Sequence, residues 1–182
     1  VTYVASGVKL VSALNTSAAP VNAASGVSSI SVTSQGSAVT VYAYTTSTAV
    51  GSVTITNGSY STIVYIQGTA GVANNISVSV PSTAGIGTSP NITVSAKDVF
   101  GNPVASESIS VTLVGALFAD GTTVKTLTTA TKAAATADTT GATILGQASA
   151  PLSSVVAGSV TVVASDSSIG ATATGLPAAV RA

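Results

Sequence analysis

The stretch Ile92-Thr93-Val94-Ser95-Ala96-Lys97, running into Asp98-Val99-Phe100-Gly101-Asn102-Pro103-Val104, decides how this chain is read. Its first half alternates apolar and polar residues with a period of two, which puts one set of side chains on each face of a half-buried strand. Its second half is turn chemistry. Asp98 and Asn102 carry short polar side chains that bond nearby peptide N–H groups, Gly101 supplies a permissive backbone angle, and Pro103 starts the next strand. A second alternating run, Ser108 to Leu113, follows.

The same pattern extends in both directions. In Val39 to Tyr44, one face collects Val39, Val41 and Ala43 while the other carries Thr40, Tyr42 and Tyr44. Comparable runs are Ile30 to Thr33, Val53 to Thr56, Ile63 to Ile66, Ile76 to Val80, Ile109 to Val114, Val124 to Thr128, Thr143 to Gln147 and Val160 to Ala164. Between them stand Asn57-Gly58, suited to a tight hairpin, and the turn signals Gln67-Gly68, Asn74-Asn75, Gly101-Asn102-Pro103 and Asp120-Gly121. Many short strands at nearly regular spacing predict sandwiches or barrels rather than β-α-β units. The stretch 130–137 contains Ala133-Ala134-Ala135, but its β-branched neighbours and short length predict a strand or bend there.

Charge is nearly absent. Five Lys+Arg and five Asp+Glu make up 5% of the 182 residues and leave no net charge, where a soluble domain ordinarily carries about 25% charged residues. Without a basic surplus, nucleic acid is not an expected partner. Without His or Cys the chain has no imidazole base, thiolate or soft metal ligand, which excludes zinc sites and His-dependent triads. The five acids are scattered and mostly in turns, which argues against paired-carboxylate hydrolysis. Gly-x-Ser-x-Gly is absent too, so no enzyme is expected. Apolar residues make up 46% of the chain, which argues against disorder. No apolar run approaches a membrane-spanning length. The chain begins at Val1 without a charged-then-apolar leader, which reads as a processed or excised segment.

Two all-β modules in tandem are expected. Ala70-Gly71, Ser77-Val78-Ser79-Val80 and Gly85-Ile86-Gly87 recur as Ala157-Gly158, Ser159-Val160-Thr161-Val162 and Ser168-Ile169-Gly170, an offset about the size of one sandwich. Pro81 with Ser82-Thr83-Ala84-Gly85 reads as the end of the first module, giving domains 1–83 and 84–182. Asn15 to Ser25 has small residues without periodicity and reads as a linker or long loop. Residues 1–14 are then either an ordinary first strand or a detached one. Val4, Val8, Leu10 and Leu14 share one parity, which suits a donor strand completing a neighbour's sheet.

From Ile92 onward the chain resembles the bacterial Ig-like domains found in tandem in invasin- and intimin-type adhesins and other prokaryotic surface proteins. Besides Ile92 to Val104, the residues carrying the resemblance are Thr136-Ala137-Asp138-Thr139-Thr140-Gly141-Ala142-Thr143, like the family's turn into a late strand, and Ala157 to Ala164, like its closing strand. The resemblance implies antiparallel Greek-key Ig-like β-sandwiches that serve as stalk or assembly modules on a cell surface, with no catalytic residues to carry over. The Cys pair and Trp of antibody domains are missing.

Several residues have two readings. Asp98 with Asn102 suits a calcium site, since hard oxygen ligands from loops are what Ca²⁺ takes, and equally an Asx-type cap on the turn. Asp120, Asp138 and Asp166 sit beside Gly, Thr or Ser in turns and offer calcium an inter-domain position. Asn15, Asn57, Asn75 and Asn91 each open an Asn-x-Ser/Thr sequon, a glycan acceptor in an exported chain. Lys9 and Lys97 are candidates for isopeptide cross-links, while Lys9 also reads as a strand lysine extending to solvent. Tyr42 and Tyr44, with Tyr60 and Tyr65 near them, suit either a sugar- or subunit-binding face or cross-strand packing.

Edge strands are ordinarily guarded by charges and Pro, and this chain has few charges for that purpose. The expected function is therefore structural: a self-assembling extracellular cell-surface component, a subunit of a fibre, sheath or surface-layer lattice. Its expected partners are copies of itself or tandem Ig-like domains, and glycans. The competing expectation is a stalk or glycan-binding module of a larger adhesin.

Overall fold

The computed structural model describes residues 1–13, 26–33, 36–131, 144–153 and 158–180, the side chains of 171–180 excepted. The described residues form strands without helices, and every ladder between them is antiparallel. No helix among them is long and apolar enough to cross a membrane. They divide into two compact units, Val1–Ala70 and Gly71–Ala182.

In the first unit, β1 (Thr2–Ser6), β3 (Ser29–Ser31), β5 (Val50–Asn57) and β6 (Tyr60–Gln67) form a sheet of order β3-β1-β5-β6. A second layer pairs β2 (Lys9–Val11) with β4 (Tyr42–Tyr44). Alternation along β5 turns Val53 and Ile55 inward, and their register partners Ala5 and Tyr3 share that face. With Ile30, Val41 and Ile66 they pack around Val8 and Leu10.

The described part of the segment, residues 1–13, is not detached, because β1 pairs with β3 on one side and β5 on the other. Its backbone groups are consumed within its own sheet. The single parity expected for the segment also fails, because the chain changes layers at Gly7, whose φ is +71°. Tyr3 and Ala5 face inward before that glycine, and Val8 and Leu10 after it. Val4, expected inward, is 49% exposed. Leu14 and the expected linker 15–25 lie outside the described residues.

The described residues of the second unit form a sandwich of seven strands. β7 (Asn75–Ser79), β8 (Asn91–Lys97) and β11 (Gln147–Pro151) form one sheet of order β11-β8-β7. The other comprises β9 (Ser108–Val114), β10 (Val124–Thr128), β12 (Gly158–Asp166) and β13 (Ala171–Val180), in the order β10-β9-β12-β13. The chain crosses between sheets from β8 to β9, β10 to β11 and β11 to β12, the Greek-key path of an Ig-like sandwich. Alternation delivers Ile92, Val94 and Ala96, then Ile109, Val111 and Leu113, then Val160, Val162 and Ala164 to the interior. On the outward side of the smaller sheet, hydroxyls pair across strands where charges would otherwise stand: Ser77 with Ser95 at 2.7 Å and Thr93 with Ser149 at 2.8 Å.

The division between units falls at Ala70/Gly71, not after Thr83. Pro81 does end a strand, but that strand, β7, pairs with β8 from Asn75↔Lys97 to Ser79↔Thr93 and belongs to the second unit. The repeat is not one copy per module either, since Ser77–Ser79 and Ser159–Val162 lie on different sheets of the same sandwich. The strand expected over Thr143 to Gln147 begins at Gln147, after a turn at 145–146. The bend expected at 130–137 and the turn at 136–143 fall almost wholly outside the described residues.

Candidate functional site

Asp98 follows β8 and organises the turn to Pro103. Its Oδ1 accepts the N–H groups of Phe100 and Asn102, both at 2.9 Å. Its Oδ2 accepts the Gly71 N–H at 3.1 Å and the Asn102 amide Nδ2 at 3.0 Å. The turn closes with Asp98 N–H donating to the Asn102 carbonyl and Gly101 N–H to the Asp98 carbonyl, with Gly101 at φ +85°. Burial pushes the Asp98 carboxyl up. The Asn102 side chain and the Gly71, Asn102 and Phe100 N–H groups pull it down further, leaving it below the ordinary aspartate range. Both oxygens are engaged by N–H donors, and Asn102 turns its nitrogen toward them. That is the geometry of the Asx-type cap.

Asp120 sits in an exposed turn, where Lys125 Nζ at 2.7 Å and the Thr122 hydroxyl and N–H hold its carboxyl down to about 2. The Lys125 ammonium also lies 5.8 Å from the centroid of the fully buried Phe118 ring. Asp138 and Asn15 lie outside the described residues. Asn57, Asn75 and Asn91 are all exposed, at a hairpin end and at the first residues of β7 and β8.

Lys9 and Lys97 are exposed as well, on β2 and β8, away from the apolar enclosure that an isopeptide condensation requires. Ser6-Gly7-Val8-Lys9 has the Ser-x-x-Lys spacing of some acyl-transfer enzymes. It straddles the layer change at Gly7, with Ser6 and Lys9 exposed on separate strands.

The tyrosines do not gather on one face. Tyr42 and Tyr44 stand on β4 opposite Val11 and Lys9. Tyr60 and Tyr65 stand on β6, and their odd separation puts them on opposite faces of that strand. They are 81% and 71% exposed.

Each outer strand of the second unit carries a device that discourages further pairing. β10 bears Lys125, and β11 ends at Pro151. β13 contains Pro177 and meets β12 across an irregularity between Val160 and Val162. β7 is five residues long and is followed by Pro81. In the first unit β3 has three residues.

β6 has no such device. It is eight residues, Tyr60-Ser61-Thr62-Ile63-Val64-Tyr65-Ile66-Gln67, with no charge and no Pro. Its register with β5 is unbroken from Asn57↔Tyr60 to Val50↔Gln67. No described strand pairs with its outer side, where alternate residues present N–H and C=O groups. Ile63, Val64 and Tyr65 are exposed apolar side chains on both of its faces. The signal lay in the sequence as an Asn-Gly turn followed by an uncharged β-branched and aromatic run.

No family model and no curated protein matches the chain. Among solved structures it is similar to domains 4 and 5 of the S-layer protein SbsC, at 17% identity over 79% of this chain and 70% of that one, with a TM-score of 0.38. It is similar to the D0-D1 domain of intimin at 14% identity, over 97% and 79%, with a TM-score of 0.39. It is also similar to a glycosyl hydrolase family 2 member from Bacteroides cellulosilyticus DSM 14838 at 13% identity, over 92% and 22%, with a TM-score of 0.40. Identities this low do not bear on activity, and with TM-scores below 0.5 the functional reading rests on the chain's own residues.

Proposed function

We propose that the chain is a structural component of an extracellular cell-surface assembly, and that its copies associate through the open edge of β6. The observation that carries this is the contrast between β6, long, uncharged and with no described strand on its outer side, and the guarded outer strands of the second unit. A second copy is the occupant that fits. An antiparallel strand pairs with itself without any change of chemistry, Ile63, Val64 and Tyr65 meet their own kind, and zero net charge removes long-range repulsion between copies. Such a pair is isologous and closes as a dimer, so growth into a fibre or lattice draws on a second contact. β1 stays within its own sheet in this scheme, and association is by edge addition without strand donation. Glycans on the exposed Asn57, Asn75 and Asn91 would supply hydration that the sparse charges do not.

The exposed rings of Tyr60 and Tyr65 favour a second reading, a glycan-binding module of an adhesin. Negative-stain microscopy together with a glycan array separates the two. Paired particles or their higher assemblies support the structural reading, whereas stable monomers retained on glycans support the adhesin.

A further inference from the structure

The carboxylates of the second unit differ in how well they are satisfied. Asp98 and Asp120 have donors on both oxygens, but Asp166, at the end of β12, has them on one only. It is 2% exposed, and its Oδ2 is buried with no hydrogen-bond partner. A buried carboxylate oxygen without a partner is costly, so an ion or water is the ordinary explanation.

The other oxygen, Oδ1, accepts the Ser168 N–H at 2.9 Å and faces the Ser168 hydroxyl at 2.6 Å. That same hydroxyl stands 2.9 Å from Glu107 Oε1. Two ionised carboxylates accept only, and a serine hydroxyl has one proton. It can satisfy one of the two and leaves the other facing bare oxygen. Three oxygens, Glu107 Oε1, Ser168 Oγ and Asp166 Oδ1, therefore converge around a single hydroxyl proton. The ion pair formed by the described residues, Lys125 with Asp120, is separate from them.

Glu107 is also held in place. Its N–H donates to the buried Thr129 hydroxyl at 2.9 Å, that hydroxyl donates to the Val104 carbonyl at 2.8 Å, and Thr129 N–H donates to the Glu107 carbonyl at 2.9 Å. Ser106 beside it is held at φ +59°.

We propose that Asp166 and Glu107, bridged by Ser168, form a binding site for a divalent oxygen-preferring cation of the Ca²⁺ type in the second unit. Hard oxygen donors are what Ca²⁺ selects at 2.3–2.6 Å, roughly, and the Asp166 carboxylate, Glu107 Oε1 and the Ser168 hydroxyl supply them. No group of three or more His, Cys, Asp or Glu gathers among the described residues, so water on the more open Glu107 side completes the shell. A site with two carboxylates belongs in the weak range of extracellular modules, a Kd on the order of 10⁻⁴–10⁻³ M.

The test is calorimetric titration of the full chain, stripped with EDTA, using Ca²⁺, with Mg²⁺ as comparison. Thermal unfolding is measured alongside. Wild type should bind one Ca²⁺ in that range and gain about 5 °C in the midpoint at tenfold excess over Kd. Glu107→Gln, at a partly exposed position, should fold and weaken Ca²⁺ binding at least tenfold, while Asp120→Asn should bind as wild type does. Absence of binding at 10 mM in folded wild type, with about 10 mM being far above such a Kd, overturns the proposal. So does a Glu107→Gln variant that binds as wild type, or an Asp120→Asn variant that loses the site. Asp166→Asn should abolish binding, and the Glu107 arm decides the question should that buried change unfold the unit.

Discussion

Val64 is the register partner of Val53 on the same face of the four-stranded sheet, yet Val53 is 5% exposed and Val64 is 45% exposed. Among the described residues the second layer, β2 with β4, is two strands wide against a sheet of four; Ile66 of β6 packs against the cluster of Val8, Leu10 and Val53, whereas Val64 stays exposed. Among the described residues, exposed apolar side chains and an unpaired strand side therefore coincide on β6.

That asymmetry predicts different costs for one chemical change. Val53→Ala should destabilise the fold by ~2 kcal/mol, because it removes buried methyl groups and leaves a cavity. Val64→Ala should lie within ~0.5 kcal/mol of wild type, as an exposed substitution does. Urea unfolding of monomeric protein measures both, and equal losses would show that β6 is covered.

Gly51 lies under the layer change at Gly7. A Cβ at position 51 would stand 2.6 Å from Val8 Cγ1 and 2.9 Å from the Ser6 carbonyl oxygen. Gly51→Ala should therefore cost ~1–3 kcal/mol through overpacking, whereas the usual effect of Gly→Ala in a strand is favourable. A variant as stable as wild type in denaturant titration would mean that the two layers do not cross so closely.

In the second unit, Ile92 on β8 and Val111 on β9 are fully buried. Ile92→Ala and Val111→Ala should each cost ~2–4 kcal/mol as core truncations. Losses below about half a kcal/mol at both sites would be surface behaviour, and would mean that the two strands present their other faces inward.

Asp98 gives the second unit an acid-side dependence with a definite sign. Its folded carboxyl titrates below the ordinary value because peptide and Asn102 N–H groups outweigh its burial. The charged form therefore stabilises the fold above the unfolded value of about 4, and that contribution disappears as pH falls through the folded value. Asp98→Asn should be less stable at neutral pH, since an amide nitrogen would meet N–H donors. Its thermal midpoint should also fall less steeply below about pH 4. Parallel midpoint-versus-pH curves for wild type and variant would contradict the role assigned to this turn.

The strands legible in the sequence were those whose alternation is carried by large β-branched residues. Ile92 to Lys97 and Val124 to Thr128 coincide with β8 and β10 to within a residue. β13, Ala171–Val180, was missed because Ala, Thr and Gly give little hydrophobic contrast and Pro177 argues against a strand. Parity along 1–14 misled because a single φ of +71° at Gly7 shifts the inward set by one residue. The unit boundary misled because a Pro that ends a strand says nothing about which sheet that strand joins. At the candidate sites, Asp98 was visible as a turn former. The convergence of Glu107 with Ser168 and Asp166 was not, since Glu107 and Ser168 lie 61 residues apart. The scarcity of charge pointed to occupied edges, but only strand order shows that β6 has no described strand on its outer side.

Sedimentation velocity across a concentration series, for wild type, Ile63→Lys and Val124→Lys, tests the central claim most directly. Ile63 lies mid-strand on the open β6 edge, and Val124 on the β10 edge already guarded by Lys125. The account predicts reversible dimers for wild type and Val124→Lys. For Ile63→Lys it predicts monomers with an unchanged thermal midpoint, because a charge at an exposed edge position opposes pairing without disturbing the core. Monomeric wild type at every concentration, or dimers that persist in Ile63→Lys, would contradict it.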